Sequence, residues 1–395
     1  QTMPTLGDYI RIKHGYAFKG DYITVEDNGV VLVTPGNFEI GGGFKEKKCK
    51  FFSGNYPNEY VLNANDLIVT MTDLSKQGDT LGYSARVPNS ERIYLHNQRI
   101  GLVDVFNPAA DKDYIYWFMR TPCYQRTIVA TASGSTVKHT SPSRICAVEI
   151  NLPPIDEQRK IAALLSSLEE KIRINCKIND NLYAQAKAIF DDHFINIDAI
   201  PAGWRKGNLL DIANYLNGLA MQKFRPQRNE IGLPVLKIKE LRQGSCDDSS
   251  ELCSLSIKPE YIIHDGDVIF SWSGSLLVDI WCGGICGLNQ HLFKVTSDVY
   301  DKWFYYLWTA HHLTRFIAIA ADKATTMGHI KREELAKAEV LIPCEEDYTS
   351  LNSIMQPIFE LIISNRIESR KLAALRDELL PKLMSGEVDV SAVQF

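Results

Sequence analysis

The chain carries one pattern twice, head to tail. Residues 6–192 and residues 209–382 pass through the same motifs in the same order. One of these motifs, Asn97-Gln98-Arg99, returns as Asn289-Gln290-His291. A period this long exceeds that of solenoid repeats several-fold and predicts a duplicated domain instead. Two linked copies of one unit indicate a molecule that performs one task at two places.

Composition excludes several classes of protein. Hydrophobic content of 45% and charged content of 23% are ordinary for a globular chain. No apolar run is long enough for a membrane span, and the polar start at Gln1 is unlike a signal peptide. Nine cysteines without a CxxC pair indicate the reducing cytoplasm. The spacing of Cys246, Cys253, Cys282 and Cys286 matches no common zinc motif, so we expect free thiols and no metal.

Each copy ends in a long helix with a narrow apolar seam. From Ile161 the seam positions step by four and three residues, which indicates a heptad repeat. Prolines cannot lie inside a regular helix, so Pro153-Pro154 and Pro343 predict the helix starts. We expect Pro357 to kink or delay the second helix. The residues expected to pair the helices are Leu165, Leu168, Ile172, Asn175, Leu182, Met355, Ile358, Ile362, Asn365 and Leu372.

Two such helices, separated by a compact domain, most simply pair antiparallel. Asn175 and Asn365 occupy equivalent positions of the repeat near mid-helix. A pseudo-twofold axis would bring them close together, where a polar pair fixes the register. The alternative is that both asparagines lie at frayed or exposed turns.

The predicted fold is α+β, with two similar mixed α/β domains, two paired helices and internal pseudo-twofold symmetry. We predict domains at 1–154 and 196–343, with a central helical spacer at 155–195 and a C-terminal one at 344–395. The predicted long helices within the domains are 113–131 and 301–321. The predicted strands are 30–33, 67–71, 100–105, 146–152, 235–238, 267–272, 292–295 and 340–342.

The sequence contains no recognisable catalytic motif. It lacks the phosphate-binding loop GxxxxGK[ST], and also HExxH, GxSxG and GxGxxG, so we expect no catalytic residues. Polar loop residues recur in both copies instead. Amide side chains can pair with adenine, cations with guanine, and threonine methyls can contact thymine, while lysines and hydroxyls hold phosphate.

These loop residues are the candidates for DNA contact. In the first copy they are Lys13, His14, Tyr16, Lys19, Thr72, Lys76, Gln77, Asn97, Gln98, Arg99, Ser135, Thr136, Lys138 and His139. In the second copy they are Asn217, Gln222, Lys223, Lys237, Lys239, Ser271, Trp272, Ser273, Ser275, Asn289, Gln290, His291, Gly328, His329 and Lys331. The alternative is that they are ordinary turn residues. Trp272 could equally be packed under a strand or displayed.

Several motifs together resemble a known family. They are the helix start Pro153-Pro154-Ile155-Asp156-Glu157-Gln158, the ending from Leu375 to Val388, and two related segments, Gly134-Ser135-Thr136-Val137-Lys138-His139 and Thr326-Met327-Gly328-His329-Ile330. The whole chain resembles the specificity subunit of type I restriction–modification systems. The second helix start departs from the pattern, with Asp347-Tyr348 in place of Glu-Gln.

The resemblance implies a function. Each mixed domain would be a target recognition domain reading one half of a split site on double-stranded DNA. The helices would set the distance between the halves and dock two modification subunits, which use S-adenosylmethionine to methylate adenine. Restriction and translocase subunits using ATP and Mg²⁺ would complete the complex. No cofactor would bind this chain. The competing hypothesis is a coiled-coil scaffold whose β-rich domains bind protein or carbohydrate through Phe51, Phe52 and Tyr56.

Overall fold

The computed structural model describes residues 3–322 and 330–390. It divides into two compact units. Unit 1 comprises Gln1–Glu169 and Ala374–Phe395, and unit 2 comprises Glu170–Ala373. Each unit contains one of the repeated domains together with parts of both long helices. No helix in the described ranges is long and apolar enough to cross a membrane.

Unit 1 is built on two β-sheets. Its strands are β1 (Ile10–His14), β2 (Ile23–Thr24), β3 (Val30–Val33), β4 (Lys50–Phe52), β5 (Val61–Leu62), β6 (Leu67–Thr70), β7 (Thr72–Asp73), β8 (Ser84–Arg86), β9 (Ile93–His96), β10 (Ile100–Val105) and β11 (Lys138–His139). One sheet has the order β1-β10-β6-β8 and the other β2-β4-β3-β9-β5, while β7 pairs with β11. The pairing is antiparallel throughout except between β3 and β9.

The helices of unit 1 follow the sheets. They are α1 (Lys112–Phe118), α2 (Pro122–Ala130) and α3 (Pro142–Cys146), and α4 (Ile155–Phe190) begins here. The side chains of Tyr114 and Trp117 are buried in the same core as Ile161 and Leu165 of α4. The Trp117 indole Nε1 also donates to Ser166 Oγ at 2.9 Å. Apolar burial and a satisfied indole therefore fix the start of α4 on unit 1.

Unit 2 repeats this design. Its strands are β12 (Arg205–Asn208), β13 (Asn214–Asn217), β14 (Leu233–Leu236), β15 (Leu252–Cys253), β16 (Ile262–Ile263), β17 (Val268–Ser271), β18 (Leu277–Ile280), β19 (Cys286–Leu288), β20 (Leu292–Thr296) and β21 (Glu339–Ile342). The sheets run β13-β20-β17-β18 and β15-β14-β19-β16, and β12 pairs with β21. The parallel pair is again internal, between β14 and β19. The predicted duplication is thus present in strand order.

The helices of unit 2 include a long last helix, which begins here and ends in unit 1. They are α5 (Leu209–Ile212), α6 (Ile238–Gln243), α7 (Lys302–His311), α8 (Leu313–Asp322), α9 (Arg332–Ala336) and α10 (Glu345–Met384). Met355 of α10 and Phe190 of α4 lie in one core with Trp303 of α7. Two bidentate ion pairs add to this packing: Arg366 binds Asp279, and Arg370 binds Asp265.

The two long helices pair antiparallel, as predicted. Within unit 2, Asn175 Nδ2 donates to Ser369 Oγ at 3.3 Å, and Asn365 Nδ2 donates to Asn179 Oδ1 at 2.9 Å. Residues 179 and 369 are themselves 190 residues apart, so the pseudo-twofold exchanges these two contacts. Asn175 and Asn365 share no hydrogen bond in the described part of the chain. Asn175 contacts the residue one turn after Asn365, and Asn365 contacts the residue one turn after Asn175.

The predicted seam faces inward along both helices. Asn175, Met355 and Asn365 are buried, whereas Leu375, which is out of step, is 44% exposed. The remaining seam residues are buried or half-buried, namely Leu165, Leu168, Ile172, Leu182, Ile358, Ile362 and Leu372. Of the two effects predicted for Pro357, the delay is wrong, because α10 already begins at Glu345, and the kink stays a prediction. Pro357 and Ser353, whose carbonyl loses its helical donor, both face solvent, where water can replace the missing bond.

The starts of α4 and α10 differ in sequence, because Tyr348 stands at the position equivalent to Gln158, but they make the same contact. Gln158 Oε1 accepts a hydrogen bond from the Asp111 backbone N–H at 2.9 Å. In the second copy the Tyr348 hydroxyl accepts from the equivalent Asp301 N–H at 2.7 Å. Tyr348 therefore makes the contact of the expected glutamine.

Some predicted elements are wrong. The strand 146–152 is reduced to a single bridge between Thr5 and Glu149, because the neighbouring Pro4 has no N–H to extend the ladder. The helix 113–131 is split in two, since Thr121 and Pro122 start a new helix. The helix 301–321 is likewise split at His312, whose ring bonds the Glu339 carbonyl at 2.8 Å.

Candidate nucleic-acid interface

A tight crossing of two segments defines one edge of unit 1. The Tyr16 N–H donates to the His96 carbonyl at 2.8 Å, and the Gln98 N–H donates to the Tyr16 carbonyl at 3.0 Å. A Cβ at Gly15 would lie 2.2 Å from the Asn97 carbonyl oxygen, so only glycine fits. This crossing places Tyr16 beside Gln98 at the ends of β1 and β9.

The same crossing occurs in unit 2. Leu219 bonds the Leu288 carbonyl, and Gln290 bonds the Leu219 carbonyl. A Cβ at Gly218 would lie 2.2 Å from the Asn289 carbonyl oxygen. The repeated Asn-Gln motif therefore lies at the same backbone crossing in both units.

The asparagine of this motif holds a turn. Asn97 Oδ1 accepts from the Arg99 N–H at 3.1 Å, and Asn289 Oδ1 accepts from the His291 N–H at 3.2 Å. Both asparagines are buried. Gln98 and Arg99 are exposed, whereas Gln290 and His291 are half-buried. The alternative interpretation as turn residues thus applies to Asn97 and Asn289, while their neighbours point to the surface.

A second segment of unit 1 adjoins this turn. The Met71 N–H donates to the Arg99 carbonyl at 2.9 Å, and the Thr140 N–H donates to the Met71 carbonyl at 3.0 Å. Thr72 is buried, and its Oγ1 lies 3.2 Å from His139 Nδ1. The structure thus brings together candidates that are distant in sequence. The exposed or half-buried candidates in these loops are Lys76, Gln77, Ser135, Thr136, Lys138 and His139.

The remaining basic candidates of unit 1 differ in whether their side chains contact the rest of the protein. Lys13 Nζ lies 4.8 Å from the centre of the Tyr60 ring and donates to the Glu59 carbonyl at 3.1 Å. Its ammonium is therefore held against the protein. His14 and Lys19 are exposed.

A polar network occupies the corresponding edge of unit 2. Trp272 Nε1 donates to Asn217 Oδ1 at 3.0 Å, and Ser273 Oγ lies 3.0 Å from His291 Nδ1. The Trp272 ring is half-buried and lies 5.7 Å from that of Phe293. Trp272 is therefore packed against neighbouring aromatic side chains.

Ser271 stabilises the hairpin that carries this network. It has no exposed surface, and its Oγ donates to the carbonyls of Ser273 at 3.3 Å and Ser275 at 3.0 Å. A side chain so enclosed positions its neighbours rather than contacting a partner. Ser275 is exposed.

The lysines of unit 2 are partly neutralised. Lys237 Nζ lies 2.6 Å from Glu251, and Lys239 Nζ lies 3.3 Å from Asp247 and 2.7 Å from Ser249 Oγ. Gln222, Lys223 and Lys331 are exposed. Gly328 and His329 lie outside the described residues. Within those residues, no three His, Cys, Asp or Glu side chains are grouped to hold a metal ion.

Comparison with known proteins identifies the family. The sequence profile of the type I restriction modification DNA specificity domain matches residues 3–184 and 201–375, which are most of the chain. The chain belongs to this family. The DNA-recognition role implied by the resemblance is thereby confirmed, and the scaffold alternative is not supported.

Individual relatives agree with this assignment. The EcoBI specificity subunit of Escherichia coli is 32% identical over 442 residues, covering 97% of this chain and 88% of the relative. The MjaIX specificity subunit of Methanocaldococcus jannaschii is 27% identical over 303 residues, covering 70% and 69%. A crystal structure of the type I S subunit from M. genitalium shares the fold, with a TM-score of 0.58 at 16% identity over 97% of this chain and 95% of that chain.

Two residues that are not among the candidate contacts, Asp73 and Leu74, also lie in the segment that follows β6 in unit 1. Asp73 is buried, and burial would raise the pKa of its carboxyl, but hydrogen bonds from Thr80 and Ser75 outweigh this and hold the pKa below its usual value. Leu74 is 67% exposed beside it. The signal was an aspartate two residues before a serine, which is an Asx-turn pattern.

Proposed function

We propose that this chain is the non-catalytic recognition subunit of a type I restriction–modification complex, with each unit reading one half of a bipartite site on double-stranded DNA. The supporting observation is the shared crossing at Gly15 and Gly218, which presents different outward side chains in the two units. Arg99 occupies the position of His291, so one framework carries two different reading surfaces. Two such readers recognise two different half-sites.

The paired helices set the distance between the two halves in this proposal. Both α4 and α10 contribute residues to both units. A helix advances 1.5 Å per residue, so its length defines a distance that a flexible linker would not.

The helices also dock two modification subunits, which bind S-adenosylmethionine and methylate adenine. Exposed apolar side chains support this docking: Ile174 and Ile178 on α4, and Ile354 and Leu361 on α10. Restriction and translocase subunits supply the ATP- and Mg²⁺-dependent reactions. The complex acts in the cytoplasm, where the nine cysteines of this chain are stable as thiols.

The proposal is tested first by profiling methylated adenines in cells with and without this chain. A bipartite motif should appear only with the chain present. Binding of the complex is then measured on duplexes whose spacer between the two halves is lengthened or shortened base pair by base pair. We expect one optimal spacing, and affinity that falls as salt rises because phosphate contacts release counterions. Equal binding at every spacing contradicts the proposed role of the helices.

A further inference from the structure

The segment between β6 and β8 in unit 1 is longer than its counterpart in unit 2. It spans residues 71–83, or thirteen residues, whereas the segment between β17 and β18 spans residues 272–276, or five. The longer segment contains β7 and the following residues 74–80, which we call the finger. The finger begins directly after β7, which belongs to the candidate interface described above.

A single carboxylate closes the finger. Asp73 Oδ1 accepts from the Ser75 N–H at 2.6 Å, and Asp73 Oδ2 accepts from the Thr80 hydroxyl at 2.7 Å and from the Thr80 N–H. Asp73 is itself only 5% exposed, and its backbone pairs with Lys138 in β11. Both ends of the finger are therefore tied to one buried group.

Further hydrogen bonds order the middle of the finger. Ser75 Oγ accepts from the Gly78 N–H at 3.0 Å and from the Asp79 N–H at 2.9 Å. Gln125 Nε2, on α2, donates to the Gly78 carbonyl at 2.9 Å. The backbone is thus held in one conformation, which lowers the entropy lost when the finger binds a partner.

The outward side chains of the finger are available. Leu74 is 67% exposed, and Lys76 and Gln77 are exposed. No hydrogen bond or ion pair engages Lys76 or Gln77 within residues 3–322 and 330–390. The apolar Leu74 suits contact with a thymine methyl, and the Lys76 ammonium suits a phosphate or guanine. The Gln77 amide suits adenine. The short segment of unit 2 offers no such combination, because residues 272–276 include neither a cationic nor an amide side chain.

We propose that the finger determines the specificity of unit 1, with Leu74 and Gln77 contacting base edges in the major groove and Asp73 acting as the positioning residue. This inference rests on the proposed function. Asp73 does not contact DNA, since a buried carboxylate would repel phosphate. It holds the finger in the conformation that presents Leu74 and Gln77.

The test uses the full chain in complex with its modification subunits. Dissociation constants are measured for the cognate duplex and for duplexes carrying single base changes in either half. For the double variant Leu74→Ala/Gln77→Ala and for Asp73→Asn, discrimination at one half should fall about tenfold, with the other half unchanged. Lys76→Ala should instead weaken all duplexes alike and reduce the salt dependence of binding by about one unit.

Asp79→Asn is the matched control for Asp73→Asn. Both variants remove one negative charge from the same segment, but the Asp79 side chain is exposed. Asp79→Asn should leave discrimination at both halves within about twofold of the unsubstituted complex, because a rim charge acts mainly on overall binding. A similar loss of discrimination in Asp79→Asn and Asp73→Asn would show a charge effect and overturn the positioning role.

Two further results separate the finger from the proposed function. If the unsubstituted complex discriminates and Leu74→Ala/Gln77→Ala retains that discrimination at both halves, the finger proposal is wrong and the function stands. If the unsubstituted complex shows no sequence preference, both are wrong. The double variant changes only exposed side chains, so its unfolding midpoint should match the unsubstituted chain.

Discussion

His96, the last residue of β9, bridges the turn that leads to β10 in unit 1. Its ring is buried, and Nε2 lies 2.8 Å from the Ile100 carbonyl oxygen, across the turn that Asn97 holds. Burial lowers the pKa of His96 below its ordinary value, although the hydrogen bond to Ile100 opposes this. The imidazole is therefore neutral at neutral pH. Its protonation would place an uncompensated charge beneath the turn.

This residue makes stability depend on pH. Because the folded-state pKa is below the unfolded one, the unfolded chain binds more protons in the interval between them. The contribution of His96 to stability should be constant well above about pH 6.5, the ordinary histidine value, and should fall as pH drops through that value. The measurement is the urea unfolding midpoint between pH 5 and pH 8. In His96→Gln, whose amide supplies an N–H donor but does not titrate, the decline of the unfolding midpoint should be smaller. An equal decline in both proteins would assign it to other groups.

At the scale of elements, the helix pair combines an apolar seam with a polar layer, which consists of Asn175, Asn179, Asn365 and Ser369. Asn175 is buried, and its Oδ1 accepts no hydrogen bond from any described residue. An unsatisfied buried polar atom costs about 1–3 kcal/mol. A layer with such a cost is consistent with a role in register, since each amide meets a matching group only when the helices are correctly aligned.

Replacing the layer with leucine tests this role. We expect the variant Asn175→Leu/Asn179→Leu/Asn365→Leu/Ser369→Leu to unfold at a higher urea concentration, because it gains apolar burial and loses the unsatisfied atom. Its complex should tolerate a wider range of DNA spacer lengths. Asn181→Leu, an exposed position on the same helix, is the control and should change neither quantity. A stabilised variant with an equally sharp spacing optimum would argue against register control.

At the scale of the whole molecule, both long helices are shared by the two units. α4 contributes residues up to Glu169 to unit 1 and the following residues to unit 2, while α10 passes from unit 2 to unit 1 after Ala373. Each globular core therefore incorporates the start of one helix and the end of the other. Any change in helix length has to be made in both helices to preserve their pairing.

Insertion of one heptad provides the corresponding prediction. Seven residues placed after Glu169 and after Ala373 lengthen both helices by about 10 Å and keep the seam in phase. At 3.4 Å per base pair, the preferred DNA spacer should grow by about three base pairs. Methylation of a spacer series by the complex measures this shift. Insertion in one helix alone should lower the unfolding midpoint and abolish methylation, since the paired layers no longer meet. An unchanged spacer optimum in the double insertion would refute the proposed distance control.

Much of the architecture was readable from the sequence because its causes are local. Heptad spacing specifies a helix seam, prolines specify where α4 and α10 begin, and repeated motifs such as Asn97-Gln98 specify duplication. Tertiary structure decided what depends on contacts distant in sequence. Tyr348 replaces Gln158 because the Asp301 N–H lies beside it, and Pro4 prevents a predicted strand from forming a ladder. Packing decides which polar side chains are buried and which face outward. Only the folded chain therefore shows that Ser271 is buried whereas Gln98 is exposed. It also shows the finger that Asp73 holds.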